Sequence, residues 1–192
     1  GVWGLGAGGP VGFWGGARTA AVVIVAGVEQ GIILAMVLSL LVHTRHGYRA
    51  RNTVVATTDG GIHPVPIEKA VQAAPGLVIY RFNHSMYYAN AEQLFEEVKR
   101  LSKLGPEPVT WFCLDLVAVD DIDFSSAAAL REASKLLQER KIRLVLADVS
   151  EHVRHELDVS GLTDLIGADA YYLDVNSVLD AYQRHNEYAT LQ

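Results

Sequence analysis

Apolar residues follow three different rhythms along this chain, and each rhythm predicts a different kind of element. Between Thr19 and Val42 they run almost unbroken, with thirteen Val, Ile or Leu in the 24 residues TAAVVIVAGVEQGIILAMVLSLLV. At 1.5 Å rise per residue, that length suffices to span a hydrocarbon layer about 30 Å thick. The summed preference of these side chains for lipid outweighs one carboxylate, Glu29, whose cost near mid-span is about 3 kcal/mol. Gly27 and Gly31 bracket Glu29 and Gln30. Segment 19–43 is therefore either one spanning helix with a G-x-x-x-G packing face or two short helices with a turn near 27–31. A buried helix of a soluble protein is the competing reading, but such helices are usually shorter and keep a polar edge. A lone spanning helix has little use for Glu29, so the segment is expected to belong to a larger bundle. Arg45, Arg49 and Arg51 follow the segment, against Arg18 before it. That bias places the C-terminal part in the cytoplasm.

Beyond residue 43 the second rhythm is the short apolar run of a strand. Such runs occur at 52–57, 77–82, 111–119, 142–147 and 171–173. Asp59-Gly60-Gly61 reads as a turn, and Pro64, Pro66 and Pro75 argue against regular structure through the rest of a juxtamembrane connector at 44–75. The third rhythm is helical. Leu94, Phe95, Val98, Leu101 and Leu104 share one face of a helix over 91–104, with Asn90 placed to cap it and Gly105-Pro106 to end it. Further helices are predicted over 125–139, 151–157 and 162–166. Asp174 caps a last one over 175–188, with Val178, Leu179 and Tyr182 facing inward. Strands alternating with helices of this length predict an α/β domain, a mixed β-sheet with helices packed on it, over 76–188.

Composition sharpens the division. Half of residues 1–16 are glycine, so 1–18 is predicted to hold no regular structure and resembles a linker or the start of a truncated reading frame. It lacks the basic region of a signal peptide. The net charge of −6 argues against a nucleic-acid partner. The single cysteine, Cys113, sits mid-strand, where it reads as a small buried hydrophobe and rules out a disulfide framework.

The most informative stretch is LDLVAVDDIDFSSAAAL at 114–130, where an apolar strand stops at Asp120, Asp121 and Asp123 before Ser125 and Ser126 open a helix. A serine there can cap the helix, or carry a phosphate that the helix N-terminus would stabilise. Loops at the carboxyl ends of strands, after Val119 and Ala147, are where such sheets keep working groups. Tyr87, Tyr88 and Asn90 form a candidate partner contact at the next helix start. Other constellations are weaker. His152-x-x-His155-Glu156 lacks the zinc-protease order and a third ligand, and the aspartates lack the glycine and glutamate of an EF-hand. No phosphate-binding glycine loop or nucleophilic triad can be assigned. Neither metal nor cofactor nor catalytic residue is expected, and hydrolysis of a phosphoester through Asp120 and Asp123 is the enzyme reading set aside.

Four stretches in order resemble the C-terminal end of the sulfate permease (SulP) family of anion transporters: GVEQGIILAMVLSLL at 27–41, PGLVIYRFNHSMYYANAEQLFEEV at 75–98, LDLVAVDDIDFSSAAALREASKLL at 114–137, and IRLVLADVSEHVRHELDVSGLTDLIG at 142–167. The resemblance implies the last membrane segment or segments followed by a cytoplasmic STAS domain (sulfate transporter and anti-sigma factor antagonist). It implies a homodimeric parent at the plasma or inner membrane, whose STAS domain aids assembly and regulation. Expected partners are the rest of the membrane domain, a second copy, and a cytosolic regulatory protein or nucleotide at the 119–126 loop. Transport in that fold needs about a dozen membrane segments in two repeats, so this chain alone is not expected to transport. The alternative is a partner switch like an anti-sigma-factor antagonist, controlled by serine phosphorylation. In that branch the serine directly follows the loop aspartate, whereas here Phe124 intervenes before Ser125.

Overall fold

The computed structural model describes residues 27–41, 51–58 and 61–190. The chain divides into two compact units between Gly47 and Tyr48. In the first, residues 27–41 form helix α1, helical through Gly27, Glu29 and Gly31, with Ile33, Met36 and Leu40 exposed. Among the described residues no helix is long and apolar enough to cross a membrane. The glycine-rich start, 1–18, and the rest of the predicted span, 19–26 and 42–43, lie outside them, as do Asp59 and Gly60 of the predicted turn.

The second unit begins with β1 (Thr53–Thr58) and β2 (Gly61–Pro66). It continues with β3 (Leu77–Arg81), α2 (Tyr88–Leu101), β4 (Trp111–Asp115), α3 (Phe124–Glu139) and β5 (Arg143–Ala147). It ends with α4 (Glu151–Val159), α5 (Leu162–Ile166), β6 (Tyr171–Tyr172) and α6 (Val175–Thr190). The strands form one sheet in the order β2-β1-β3-β4-β5-β6. β1 runs antiparallel to β2 and to β3, while β3, β4, β5 and β6 are mutually parallel. This is the mixed sheet with packed helices that the alternating rhythms predict.

Both faces of the sheet are covered, which explains why its central strands read as unbroken apolar runs. Val78, Tyr80, Phe112, Leu114, Leu144 and Leu146 point to one side and meet Leu94 and Val98 of α2, Leu130 and Leu137 of α3, and Leu157 and Leu162 beyond. Leu77, Ile79, Trp111, Cys113 and Val145 point to the other and meet Val175, Val178 and Tyr182 of α6. Cys113 has no exposed surface. Burial, and then the nearby charges of Asp115 and Asp148, hold its thiol well above the ordinary range, so it packs as a hydrophobe rather than reacting as a thiolate.

Three local expectations are corrected. Residues 61–66 form a regular strand despite Pro64 and Pro66. β2 is the outermost strand, where a residue without an N–H is tolerated and hinders further pairing. The strand at 111 ends at Asp115 rather than Val119, because the chain turns after its last bond to β5 and Val119 N–H donates back to Leu116 O. Helix α2 starts at Tyr88, with Tyr87 at the cap position, so Asn90 lies inside its first turn.

Candidate functional site: the carboxyl edge of the sheet

Parallel strands in register end together, and β3, β4 and β5 stop at Arg81, Asp115 and Ala147 side by side. The apolar run of β4 closes on Asp115, a carboxylate with no exposed surface. Arg81 Nε donates to its Oδ2 at 2.6 Å, and Val117 N–H donates to Oδ1 at 3.1 Å. Both oxygens of this buried charge are thereby satisfied, as burial demands. Next along the edge, Asp148 takes a left-handed backbone conformation with φ 55°. Partial burial first, then the charges of Asp115 and Asp174, raise its carboxyl above the ordinary value. Asp174 caps α6 as expected, accepting both the N–H and the hydroxyl of Ser177 at 2.7 Å.

The loops before α2 and α3 are tied to each other. Met86 N–H donates to Asp121 O at 2.9 Å and Asp123 N–H returns to Met86 O at 2.9 Å, an isolated parallel bridge between Met86 and Ile122. Buried Met86 and Ile122 anchor it from below. The bridge sets two helix N-termini beside one carboxylate. Asp123 Oδ1 accepts Ser126 N–H of α3 at 2.8 Å, and Oδ2 accepts Tyr88 N–H of α2 at 2.7 Å. Partial burial pushes the Asp123 carboxyl up, but these backbone hydrogen bonds outweigh it and leave the group below its ordinary value. The cap of α3 is therefore Asp123. The expectation of a capping serine is overturned: in the first turn of a helix a side chain lies past the free N–H groups, whereas the residue before it faces them.

The predicted site residues separate by burial. Asp120 is exposed, and Asp121 is half-exposed with Oδ1 at 3.5 Å from His152 Nε2. Ser125 is half-buried and Ser126 fully buried, its hydroxyl without a hydrogen-bond partner among the described residues. Asn90 is also buried, with Oδ1 accepting Tyr87 N–H and Nδ2 donating to Ser85 O, both at 2.9 Å. Its work is internal: it shapes the start of α2. Tyr87 and Tyr88 are 42% and 79% exposed, and Phe124, next to Asp123, is 89% exposed. Val117 and Leu173 stand exposed on the same edge. Phe124 is the exposed aromatic of this edge that pattern reading does not single out. The signal was available, since the first residue after a helix cap generally faces solvent.

This edge displays apolar side chains and carboxylates on a rigid base. Among the described residues no three of His, Cys, Asp or Glu gather as metal ligands.

Comparison with known proteins agrees with this architecture. A sequence model of the STAS domain matches residues 68–178, more than half of the chain. A probable sulfate transporter of Mycobacterium tuberculosis is 28% identical over 168 residues, covering 86% of this chain and 30% of that protein. High affinity sulfate transporter 1 of Stylosanthes hamata is 29% identical over 171 residues, covering 83% and 26%. The chain thus spans less than a third of the length of these relatives. Among solved structures, the murine Solute Carrier 26 family member A9 anion transporter aligns with TM-score 0.63 at 16% identity, over 80% of this chain and 25% of that one. A sulfate transporter family protein from Wolinella succinogenes aligns with TM-score 0.53 at 22% identity, over 62% and 94%. With the mixed sheet, its covering helices and the matched residues in agreement, and with sulfate transporters among the proteins it resembles in sequence, the chain belongs to the STAS domain family.

Proposed function

We propose that this chain is the C-terminal portion of a sulfate or related anion transporter, in which 19–43 supplies the last membrane segment or segments and the sheet domain is a cytoplasmic regulatory module. The observation that carries this reading is the conjunction, on one chain, of helix 27–41 with its exposed apolar side chains and a STAS domain matched over 68–178. Chains of this length lack the repeats that an alternating-access carrier needs, so the fragment does not transport alone. Its domain works by touching other molecules and not as an enzyme. The partners are the membrane domain of the parent, a second copy, and a cytosolic regulatory protein at the 119–126 loop, whose three aspartates disfavour the anionic nucleotide. The contacts run through Tyr87, Tyr88 and the Asp120–Ser125 loop, while Asn90 holds that surface in place.

Ser125 supports a second, regulatory reading. It lies in the first turn of α3 and keeps part of its surface exposed, where phosphate would gain from the helix dipole but face the Asp123 charge. Phosphopeptide mapping of the chain isolated from its host tests this, and an unmodified 119–130 peptide under all growth conditions removes the switch.

Membrane residence is tested by expressing the full chain and washing membranes at alkaline pH. The chain is expected to stay with the lipid until detergent is added. Recovery of intact, folded chain in the detergent-free supernatant overturns the membrane assignment.

A further inference from the structure

We propose that the carboxyl edge binds a cationic segment bearing an apolar anchor. This inference rests on the reading of the domain as a docking module and adds the chemistry of what docks. The first observation is the exposure of Tyr88, whose backbone N–H is bound by Asp123, and of Phe124, which follows Asp123 in the chain. Both sit on first helical turns beside the Met86–Ile122 bridge, so little backbone freedom is lost when a partner covers them. Large aromatics in that state are the usual anchors of an interface.

The second observation is charge. Asp120 and Asp121 lie in the loop that leads into Phe124, and Asp148 and Asp174 follow β5 and β6 at the same edge. Arg81 is engaged with Asp115, and His152 touches Asp121. The opposite edge reverses the sign: Lys99, Arg100 and Lys103 lie near the end of α2, Arg140 and Lys141 follow α3, and Arg143 begins β5. Helix dipoles account for part of this polarity, since carboxylates favour helix starts and cations favour helix ends. They account for Asp123 and Asp174, which cap helices, but not for Asp120 and Asp121, whose side chains lie in a loop. Nor do they account for aromatic rings left in water. An acidic rim around apolar anchors is complementary to a segment that carries Lys or Arg around Leu or Phe, and it steers that segment to this end of the domain. The same rim repels an anionic lipid surface and an acidic peptide.

The test uses the full chain in a mild non-ionic detergent and two fluorescent amphipathic peptides, one with Leu and Lys on opposite helical faces and one with Glu replacing every Lys. Binding is read by anisotropy for wild type, F124S, Y88S and the double variant D120N/D121N, none of which removes a helix cap. The Leu/Lys peptide is expected to bind saturably, to weaken by about tenfold in F124S and in D120N/D121N, and to weaken as salt is raised. Circular dichroism of each variant, matching wild type, separates lost contact from lost fold. Binding of the Leu/Glu peptide that disappears in F124S keeps the docking edge but overturns the cationic partner. Binding of either peptide that ignores all these substitutions overturns both.

Discussion

The carboxylate of Asp123 accepts the backbone N–H of Tyr88 at 2.7 Å, across 35 residues of sequence. The same side chain caps α3 through Ser126 N–H at 2.8 Å. One aspartate thus serves two helices and fixes the spacing between Tyr88 and Phe124. Loss of a cap costs about 1 kcal/mol, so Asp123→Ala is expected to lose about 2 kcal/mol in urea unfolding of the full chain. Asp123→Asn keeps a single acceptor oxygen and should lose roughly half as much. An Asp123→Ala variant as stable as wild type would show that the two bonds carry no net stability.

The carboxylates of this edge titrate in opposite senses. Asp123 and Asp174 are lowered in the fold, Asp123 because its hydrogen bonds outweigh burial, Asp174 chiefly by the N–H of Ser177. Their stabilising contribution is complete above the unfolded carboxylate range and is lost as pH falls through the lower folded values. Asp148 is raised, so its ionisation opposes folding and its penalty is relieved as pH falls. Asp148→Asn keeps an acceptor and tolerates the left-handed backbone. It is expected to raise the melting point at pH 7, on the order of half a kcal/mol after solvent screening. The advantage should shrink as pH is lowered into the range where Asp148 takes up its proton. An advantage that is constant with pH would show that charge is not its source.

Arg81 and Asp115 close the centre of the edge at 2.6 Å, with Asp115 wholly buried and Arg81 partly exposed. Removing only the guanidinium leaves a buried carboxylate whose Oδ2 has lost its donor. Arg81→Met is expected to cost about 3 kcal/mol, the lower end for breaking a buried pair, because water can reach the arginine side. The double replacement Arg81→Met with Asp115→Leu should recover part of that loss, which a double-mutant cycle measures. Equal destabilisation by the single and double variants would refute the uncompensated-charge account.

Much of this domain was legible in the order of its residues. The runs at 77–82 and 142–147 became β3 and β5 because both sheet faces are covered. The spacing of Leu94, Val98 and Leu101 identified the inward face of α2, since those three fill the interface with the sheet, although the helix runs over 88–101 and not 91–104. The edge was less legible, for reasons of geometry. Asp123 and Ser125 are both good caps in isolation, and where the helix begins decides between them: α3 starts at Phe124, which leaves Asp123 facing its free N–H groups and puts Ser125 inside the first turn. Asn90 looked like a cap and is one in effect, but from inside the helix and fully buried. Pro64 and Pro66 misled because the sequence does not announce which strand will lie outermost. Arg81 and Asp115 are separated by 34 residues, and no local pattern couples them.

Gly76 offers a prediction independent of charge. It precedes β3 with φ +85°, a conformation that L side chains rarely adopt, and its carbonyl accepts Thr110 N–H at 2.8 Å and Trp111 N–H at 3.1 Å. A Cβ placed there would lie 2.5 Å from Tyr182 Oη and 3.3 Å from Pro108 O. Tyr182 is buried against Trp111 and donates to Pro75 O at 2.7 Å, so its hydroxyl has little room to move. Backbone strain of about 1–2 kcal/mol then adds to the displacement of a packed ring. Gly76→Ala is expected to cost about 3 kcal/mol and to loosen α6 from the sheet. Hydrogen exchange should show the loss first in the amides around Val178 and Tyr182, while the α2–α3 layer stays protected. Tyr182→Phe in the Gly76→Ala background removes the obstructing oxygen, and stability is expected to rise relative to Gly76→Ala alone. Because Tyr182→Phe also removes the bond to Pro75 O, it is measured alone as well, and strictly additive losses in the double-mutant cycle would refute the steric account and leave strain as the sole cost.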